Sequence, residues 1–429
     1  MMNATPLLIL VAMLLLGVPI AVALATAGMF GIWLVTGDLS KLLGIVSLSP
    51  FSTVADYALT TVPMFILMAY FTASSGLARD LYQAAANSMS HIRGGLAMAT
   101  VFACGIFGAM SGASVAAASV MSKIAMPEMR RHGYSEELAA GAIGVGATLD
   151  ILIPPSIAMV IYGIATQTSI GQLLIAGIIP GVIVGVLLIA MIWLWVRIRP
   201  EHAPRTFRVS KEERRSALMK VWPSLLLIVT VIAMLYSGLA TPSEIGALGA
   251  LLAAIIGALF GRLSFRDAIE ALKQTIRTSA MIFLILIGAT IFGYYMALSR
   301  IPQEVVTWVT AMNLNRWVVL IGIVLSYFII SMFMDEIPLL LLTLQLTFPL
   351  ITTLGFDPVW FGVLSMLMVS MGLVFPPVGL IAFIVSASAN IDLVKVYKGT
   401  SILMLSIVLT TVLIMIFPAI VLWLPATMR

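Results

Sequence analysis

The chain has 429 residues, of which 61% are hydrophobic and only 10% charged, with a formal net charge of +5. A soluble domain carries roughly 25% charged residues, so a chain this apolar has lipid as its solvent and is excluded from the soluble enzymes and binding modules. The positive charge calls for no nucleic acid, because the basic residues gather in a few loops, as the positive-inside rule expects.

From the N-terminus, the apolar run continues to about Val35 without a basic leader and reads as a retained membrane helix. Residues 36–56 read either as an interfacial helix or as a loop, and 1–93 together as N-terminal scaffold helices. Residues 94–128 are too long for one crossing and have basic residues at both ends (Arg79 and Arg93 before, Lys123 near the far end and Arg130 and Arg131 after it). Their middle, Gly105 to Ser114, is rich in Gly and Ser, where a helix is easily broken and reversed. This predicts a re-entrant helical hairpin entered from the cytoplasm, with its tip at 109–114. The segment 136–165 follows, interrupted by Pro154-Pro155, and a helix is expected at 173–197, closing a first transport unit over 94–197.

Residues 198–220 form a basic linker. With Arg197 at its edge it carries Arg199, Arg205, Arg208, Lys211, Arg214, Arg215 and Lys220, which makes it cytoplasmic. Helices at about 221–240 and 242–261 open a second set of scaffold helices over 221–315. A second hairpin, entered from the periplasm, is expected at 316–350 with its tip near Ser331–Pro338. A second broken helix spans 358–388 around Pro376-Pro377, and a long apolar run covers 399–424, completing a second transport unit over 316–429.

A fixed offset of 222 relates the two parts. Ile153-Pro154-Pro155 matches Phe375-Pro376-Pro377, Pro127 matches Pro349, Gly133-Tyr134 matches Gly355-Phe356, and Gly177 matches Gly399. Basic residues swap sides between the copies. Loops 123–131 and 197–220 are basic, and their counterparts 345–353 and 419–429 carry only Arg429, whereas Lys395 and Lys398 replace Leu173 and Ala176. The copies therefore run through the membrane in opposite senses. The fold class is an all-α polytopic membrane protein with an inverted repeat, two re-entrant hairpins and two discontinuous helices.

Residues 149–156 and 370–379 are expected to be unwound at mid-membrane, which is tolerated only where backbone faces protein or a polar cavity. Half-helix N-termini there offer N–H groups to an anion, and C-termini offer carbonyls to a cation such as Na⁺. The candidate substrate and ion ligands are Ser111, Gly112 and Ser114 at the first tip, and Gly146, Thr148, Asp150, Pro154, Pro155 and Ser156 around the first break. Asp335 and Glu336 at the second tip, with Ser370, Gly372, Pro376 and Pro377 around the second break, complete the set. Na⁺ would be held by carbonyls near Ser111–Ser114, Gly146–Pro154, Met334–Glu336 and Ser370–Phe375. An acid inside a membrane helix costs roughly 2.5–3.5 kcal/mol and usually marks function; the bland alternative for Asp150, Asp335 and Glu336 is a helix cap. Hydroxyls such as Thr148 and Ser370 often just bond a carbonyl of their own helix. The single Cys104 excludes an internal disulfide, and His91, His132 and His202 lie in polar connections without metal spacing. No HExxH motif or Ser/His/Asp arrangement is visible, so neither enzyme activity nor a cofactor is expected.

Phe107 to Ser114 (FGAMSGAS), Gly133-Tyr134, Thr148 to Tyr162 (TLDILIPPSIAMVIY) and Gly355 to Leu380 resemble the large membrane subunit of tripartite ATP-independent periplasmic (TRAP) transporters. The resemblance spans essentially the whole chain. It implies the ion-transporter fold, elevator-type alternating access, Na⁺ symport and a bacterial inner-membrane location. It also implies a small four-helix membrane subunit, a periplasmic solute-binding protein and an organic acid substrate. Asp150 stands where that family usually has glycine, Ser370 lies near a usual acidic position, Phe375 replaces threonine, and an asparagine is common near Ile381. The alternative is a self-sufficient cation–solute symporter or antiporter of related fold.

Overall fold

A computed structural model describes residues 5–204 and 209–428. Arg205, Arg208 and Arg429, used above in the charge pattern, lie outside them. The first half contains α1 (Thr5–Leu15), α2 (Ile20–Thr36), α3 (Leu39–Val54), α4 (Thr61–Ser74), α5 (Leu77–Met89), α6 (Gly95–Ser111), α7 (Ser114–Arg131), α8 (Glu136–Ala147), α9 (Ile157–Thr166), α10 (Ile170–Ala176) and α11 (Ile178–Ile198). A connecting helix α12 (Lys211–Met219) follows. The second half contains α13 (Trp222–Ser237), α14 (Pro242–Leu259), α15 (Phe265–Ser299), α16 (Ile301–Ala311), α17 (Arg316–Ser331), α18 (Glu336–Thr353), α19 (Pro358–Gly372), α20 (Leu380–Ala389), α21 (Leu393–Leu403), α22 (Leu405–Ile416) and α23 (Ala419–Ala426).

Local chemistry sets the ends that matter. The Ser135 hydroxyl caps α8 by accepting from Leu138 N at 3.3 Å. In the second half Asp357 caps α19, its Oδ1 accepting from Val359 N at 2.8 Å and Trp360 N at 3.0 Å, with Pro358 in the first turn. Gly133 and Gly355, with φ of 75° and 74°, make the turn out of each hairpin at equivalent positions, where a residue with a Cβ would be strained. Pro154-Pro155 and Pro376-Pro377, whose linking bonds are both cis, separate α8 from α9 and α19 from α20.

The offset of 222 seen over 127–177 reaches much further in three dimensions. α7 and α18 begin and end at equivalent residues, α2 and α14 begin at equivalent residues, and α1 pairs with α13 and α5 with α16. The packing is reciprocal: α2 lies on α15 as α14 lies on α4, α7 on α20 as α18 on α9, and α6 on α8 as α17 on α19. Such pairwise exchange is the mark of a twofold relation between copies. Among the described residues, six helical stretches are long and apolar enough to cross a bilayer, including Phe265–Ser299 and Ile170–Ile198. Large hydrophobic side chains such as Leu15, Leu239 and Phe265 are exposed, as lipid-facing residues would be.

Several expectations change. The N-terminal apolar run is not one helix but α1 and α2, parted at Gly17, whose φ is 76°, and at Pro19. The stretch 39–54 is a helix. The expected helix 173–197 lies within the stretch Ile170–Ile198, in which α10 and α11 meet at Gly177, where a Cβ would collide with the Leu152 carbonyl. In the second break unwinding starts only after Gly372, so Ser370 is still helical. The basic linker holds a helix, α12, closed by a capping box between Ser210 and Glu213.

Candidate functional site

Each hairpin closes onto the break that follows it, and glycine makes the approach possible. In the first half the glycine is on the hairpin: a methyl on Gly108 of α6 would stand 2.6 Å from Asp150 Cβ and 2.9 Å from Asp150 Cα. One turn further along α6, Ser111 is buried and its hydroxyl has no hydrogen-bond partner. Gly112 then turns the chain with φ of 58°, its N–H donating to Gly108 O at 2.8 Å, and it lies against the Pro155 carbonyl.

In the second half the glycine is on the broken helix. Gly372, the equivalent of Asp150, lies against Ser331 Oγ, and a methyl added to it would stand 2.8 Å from Phe328 O. The Gly379 N–H donates to Met332 O at 2.9 Å, tying the second break to the second tip. Phe328 and Phe375 face each other there, ring centroids 5.4 Å apart.

The two hairpins meet at their second arms. Ser114, the first residue of α7, donates to Glu336, the first residue of α18, at 3.3 Å to Oε1 and 3.4 Å to Oε2. These residues are 222 apart, so the contact joins equivalent positions and lies on the pseudo-twofold axis. Both helices point their N-terminal, electropositive ends at this spot. Asp150 lies within electrostatic reach of Ser114, Glu336 and Asp335. It is fully buried, with the Ser114 hydroxyl and the backbone N–H of Ile151 beside its carboxyl.

The structure thus brings together Ser111, Gly112, Ser114, Asp150, Pro155, Asp335 and Glu336. Asp335 is also the N-cap of α18, its Oδ1 accepting from Glu336 N at 2.9 Å. Other candidates are occupied locally. Thr148 Oγ1 donates to Val145 O and Ser370 Oγ to Met366 O, both at 2.8 Å and both within their own helices. The Ser156 hydroxyl caps α9 through Met159 N at 3.3 Å. Gly146 serves the packing of α8 on α6, with Cys104 as its neighbour. Pro376 and Pro377 hold the second break, where the Pro377 carbonyl accepts from Tyr397 OH at 2.9 Å. Sequence reasoning missed Gly108 and Ser331, which set how closely hairpin and break approach.

Oxygen donors suited to a hard cation are present: the carbonyl ends of α6, of the 3-10 turn Thr148–Ile151, of α17 and of α19 all point toward the breaks. A cleft flanks each hairpin. One, about 1120 Å³, runs beside α7 and is lined by Arg79, Lys123, Arg131 and Lys220; the other, about 430 Å³, runs beside α18 and is lined by Asp56, Tyr294 and Gln345. Lys123 and Gln345 are equivalent positions. The two copies are also joined at one end by charge. Glu136 of α8 accepts from Arg130 and from Lys395 of α21, each at 2.8 Å, and Lys398 pairs with Glu137 at 3.7 Å. At the opposite end the joins are neutral: Tyr162 OH donates to Pro358 O at 2.8 Å.

The family described as "Tripartite ATP-independent periplasmic transporter, DctM component" matches residues 7–420. The C4-dicarboxylate TRAP transporter large permease protein DctM of Pseudomonas aeruginosa is 34% identical, covering 87% of this chain and 88% of that protein. The ectoine TRAP transporter large permease protein TeaC of Halomonas elongata is 32% identical over 97% of both chains. Among solved structures, the YdaH transporter of Alcanivorax borkumensis superposes with a TM-score of 0.62 over 89% of this chain and 90% of that one, at 16% identity, a likeness of fold.

Proposed function

The chain belongs to the DctM component family of the tripartite ATP-independent periplasmic transporters, and from that premise we propose that it carries a small organic acid across a bacterial inner membrane by Na⁺-coupled, elevator-type alternating access. It does so beside a small four-helix membrane subunit and takes its cargo from a periplasmic solute-binding protein. The observation that carries the reading is the convergence of two hairpin tips and two opened helices on one axis, with the inner helices of both copies bound to each other.

The geometry gives the parts of such a cycle. The two breaks and the tips form one unit because α8 packs on α21 and the Glu136–Lys395 and Glu137–Lys398 pairs bridge the copies. Gly141 and Gly399 let those helices touch backbone to backbone, a methyl on Gly141 standing 2.7 Å from the Gly399 carbonyl carbon. The unit would move as a body against the long outer helices α2, α4, α14 and α15. The charged end faces the cytoplasm by the positive-inside rule, which puts α6–α7 on the inner side and α17–α18 on the outer. The clefts at Lys123 and Gln345 then lie on opposite sides of the bilayer, as alternating access requires. Na⁺ would sit on the carbonyl ends near Ser111–Ser114, Gly146–Pro154, Met334–Glu336 and Ser370–Phe375.

The test is uptake into proteoliposomes holding the large and small subunits. Accumulation is expected only with an inward Na⁺ gradient and a cargo-loaded binding protein. Full activity without the binding protein would overturn the tripartite reading in favour of a self-sufficient symporter.

A further inference from the structure

The two clefts differ in charge. The one beside α18 has a single acid, Asp56, on its walls and no Lys or Arg, whereas the one beside α7 carries Arg79 on α5, Lys123 and Arg131 on α7 and Lys220 at the end of α12. At the positions equivalent to Lys123 and Arg131 the second copy has Gln345 and Thr353. The acids on the basic cleft's walls are engaged elsewhere. Arg262 takes Asp80, the Ser210 N–H donates to Glu213 at 3.2 Å, and the Glu128 carboxylate lies 3.6 Å from the His132 ring. That leaves Glu212 against four cations, and among the described residues none of the four has an acid within 4 Å. Cations gathered around one water-filled space raise the local concentration of anions and repel each other until one enters.

These cations belong to two bodies. α5 is pinned to the outer helices by the Asp80–Arg262 pair, Arg262 lying in the turn between α14 and α15, and α12 packs on α5. Lys123 and Arg131 ride on the second arm of the first hairpin. An anion with several charges, touching both walls, bridges the part that moves to the part that stays. Two arginines favour phosphate, whose oxygens match the guanidinium fork. The walls are mainly polar, with Gln83, Asn87 and Ser216 beside the charged groups, which suits a soluble anion and not a lipid whose tails need an apolar wall. We propose that the cleft beside α7 is a site for a soluble, phosphate-bearing polyanion of the cytoplasm, and that filling it holds the carrier with this cleft open. This regulation rests on the alternating-access reading above and goes beyond it.

The first test is calorimetric binding of pyrophosphate to the detergent-purified full chain at fixed Na⁺ and ionic strength. Lys123→Gln combined with Arg131→Thr, which copies what the second copy holds at these positions, is expected to weaken binding roughly ten- to a hundredfold, the worth of one charge-assisted contact. Lys273→Gln combined with Arg277→Gln, on α15 outside the cleft, should leave binding unchanged, with gel filtration reporting that each variant is folded. Equal losses in the two pairs mean an adventitious ion only and overturn the site, as does the absence of binding at millimolar pyrophosphate. If phosphatidylglycerol nanodiscs abolish the binding and phosphatidylcholine nanodiscs do not, a lipid headgroup is the occupant and the proposal falls. The second test is uptake by proteoliposomes with pyrophosphate in the lumen, where the binding protein outside selects carriers whose cytoplasmic face points inward. Lumenal pyrophosphate should slow uptake severalfold, external pyrophosphate should not, and the Lys123→Gln, Arg131→Thr pair should be insensitive. No slowing in the parent chain, or equal slowing in the variant, overturns the regulation. Should no organic acid be taken up under any condition, the carrier reading falls, and the binding measurement still decides the site.

Discussion

The two halves solve one packing problem with opposite choices. Hairpin and break must touch backbone to backbone. The first half places glycine in the hairpin (Gly108) and a large polar residue in the break (Asp150). The second half places glycine in the break (Gly372), and its hairpin carries Ile330 at the position equivalent to Gly108. The same exchange runs through the rest of the centre. Ser111 and Ile153 in the first half become Phe333 and Phe375 in the second, and Phe375 packs against Phe328 beside the second break. What the fold requires is a close approach, and either partner can yield the space. The polar groups at the centre come from both copies, Ser114 and Asp150 from the first and Asp335 and Glu336 from the second.

Substitutions sharpen that contrast. The largest effect is expected from Gly108→Ala and Gly372→Ala, each overpacking its contact and lowering the stability of the solubilised protein by about 1–3 kcal/mol. Gly322→Ala, in the second hairpin with nothing within 4 Å, is the control and should leave the melting temperature unchanged or slightly raised. A loss confined to one of the two glycines would break the idea of a shared contact. Next comes Ser114→Ala, which removes the donor to a buried carboxylate and is expected to cost about 1–3 kcal/mol by thermal melting. The variant Glu336→Gln made on top of it should recover part of that loss, because the unpaired charge is gone. If the double variant is worse than the sum of the singles, the pair across the axis is not what holds the tips together. Tyr162→Phe at the neutral end should cost about 0.5–1.5 kcal/mol, the worth of one ordinary hydrogen bond, with no response to salt. Smallest of all is Lys395→Ala, expected to cost less than about 1 kcal/mol since the Glu136 pair is half exposed, and the cost should shrink further in high salt. A salt response at the neutral end instead of the charged one would overturn the assignment of the two ends.

Much of the inner architecture was legible because its signals are local. Two double prolines at one offset, the Gly-Tyr and Gly-Phe pairs after the hairpins, and runs too long for one crossing each have a direct backbone meaning. The outer helices were not legible as repeats. α2 and α14 start at equivalent residues, yet both are merely apolar and small-residue-rich, and lipid-facing sequence keeps no register. The division of the N-terminal run at Gly17 and Pro19 was hidden by a continuous apolar composition on either side. At the site, Asp150, Ser114 and Glu336 stood out individually as polar residues in apolar surroundings. Their meeting did not, because Ser and Glu are dissimilar and the repeat was traced through residues that match. Thr148, Ser156 and Ser370 carried the same surface signal, and the structure spends their hydroxyls on their own helices.

The Ser114–Glu336 contact has a consequence for how such a protein can evolve. In an ancestor assembled from two separate identical chains, the residue at this spot would have been obliged to confront its own twin. An acid there would have met an acid, and a serine a serine. Within one polypeptide, with α12 in the connecting segment, that obligation does not hold, and a donor faces an acceptor at the centre of symmetry.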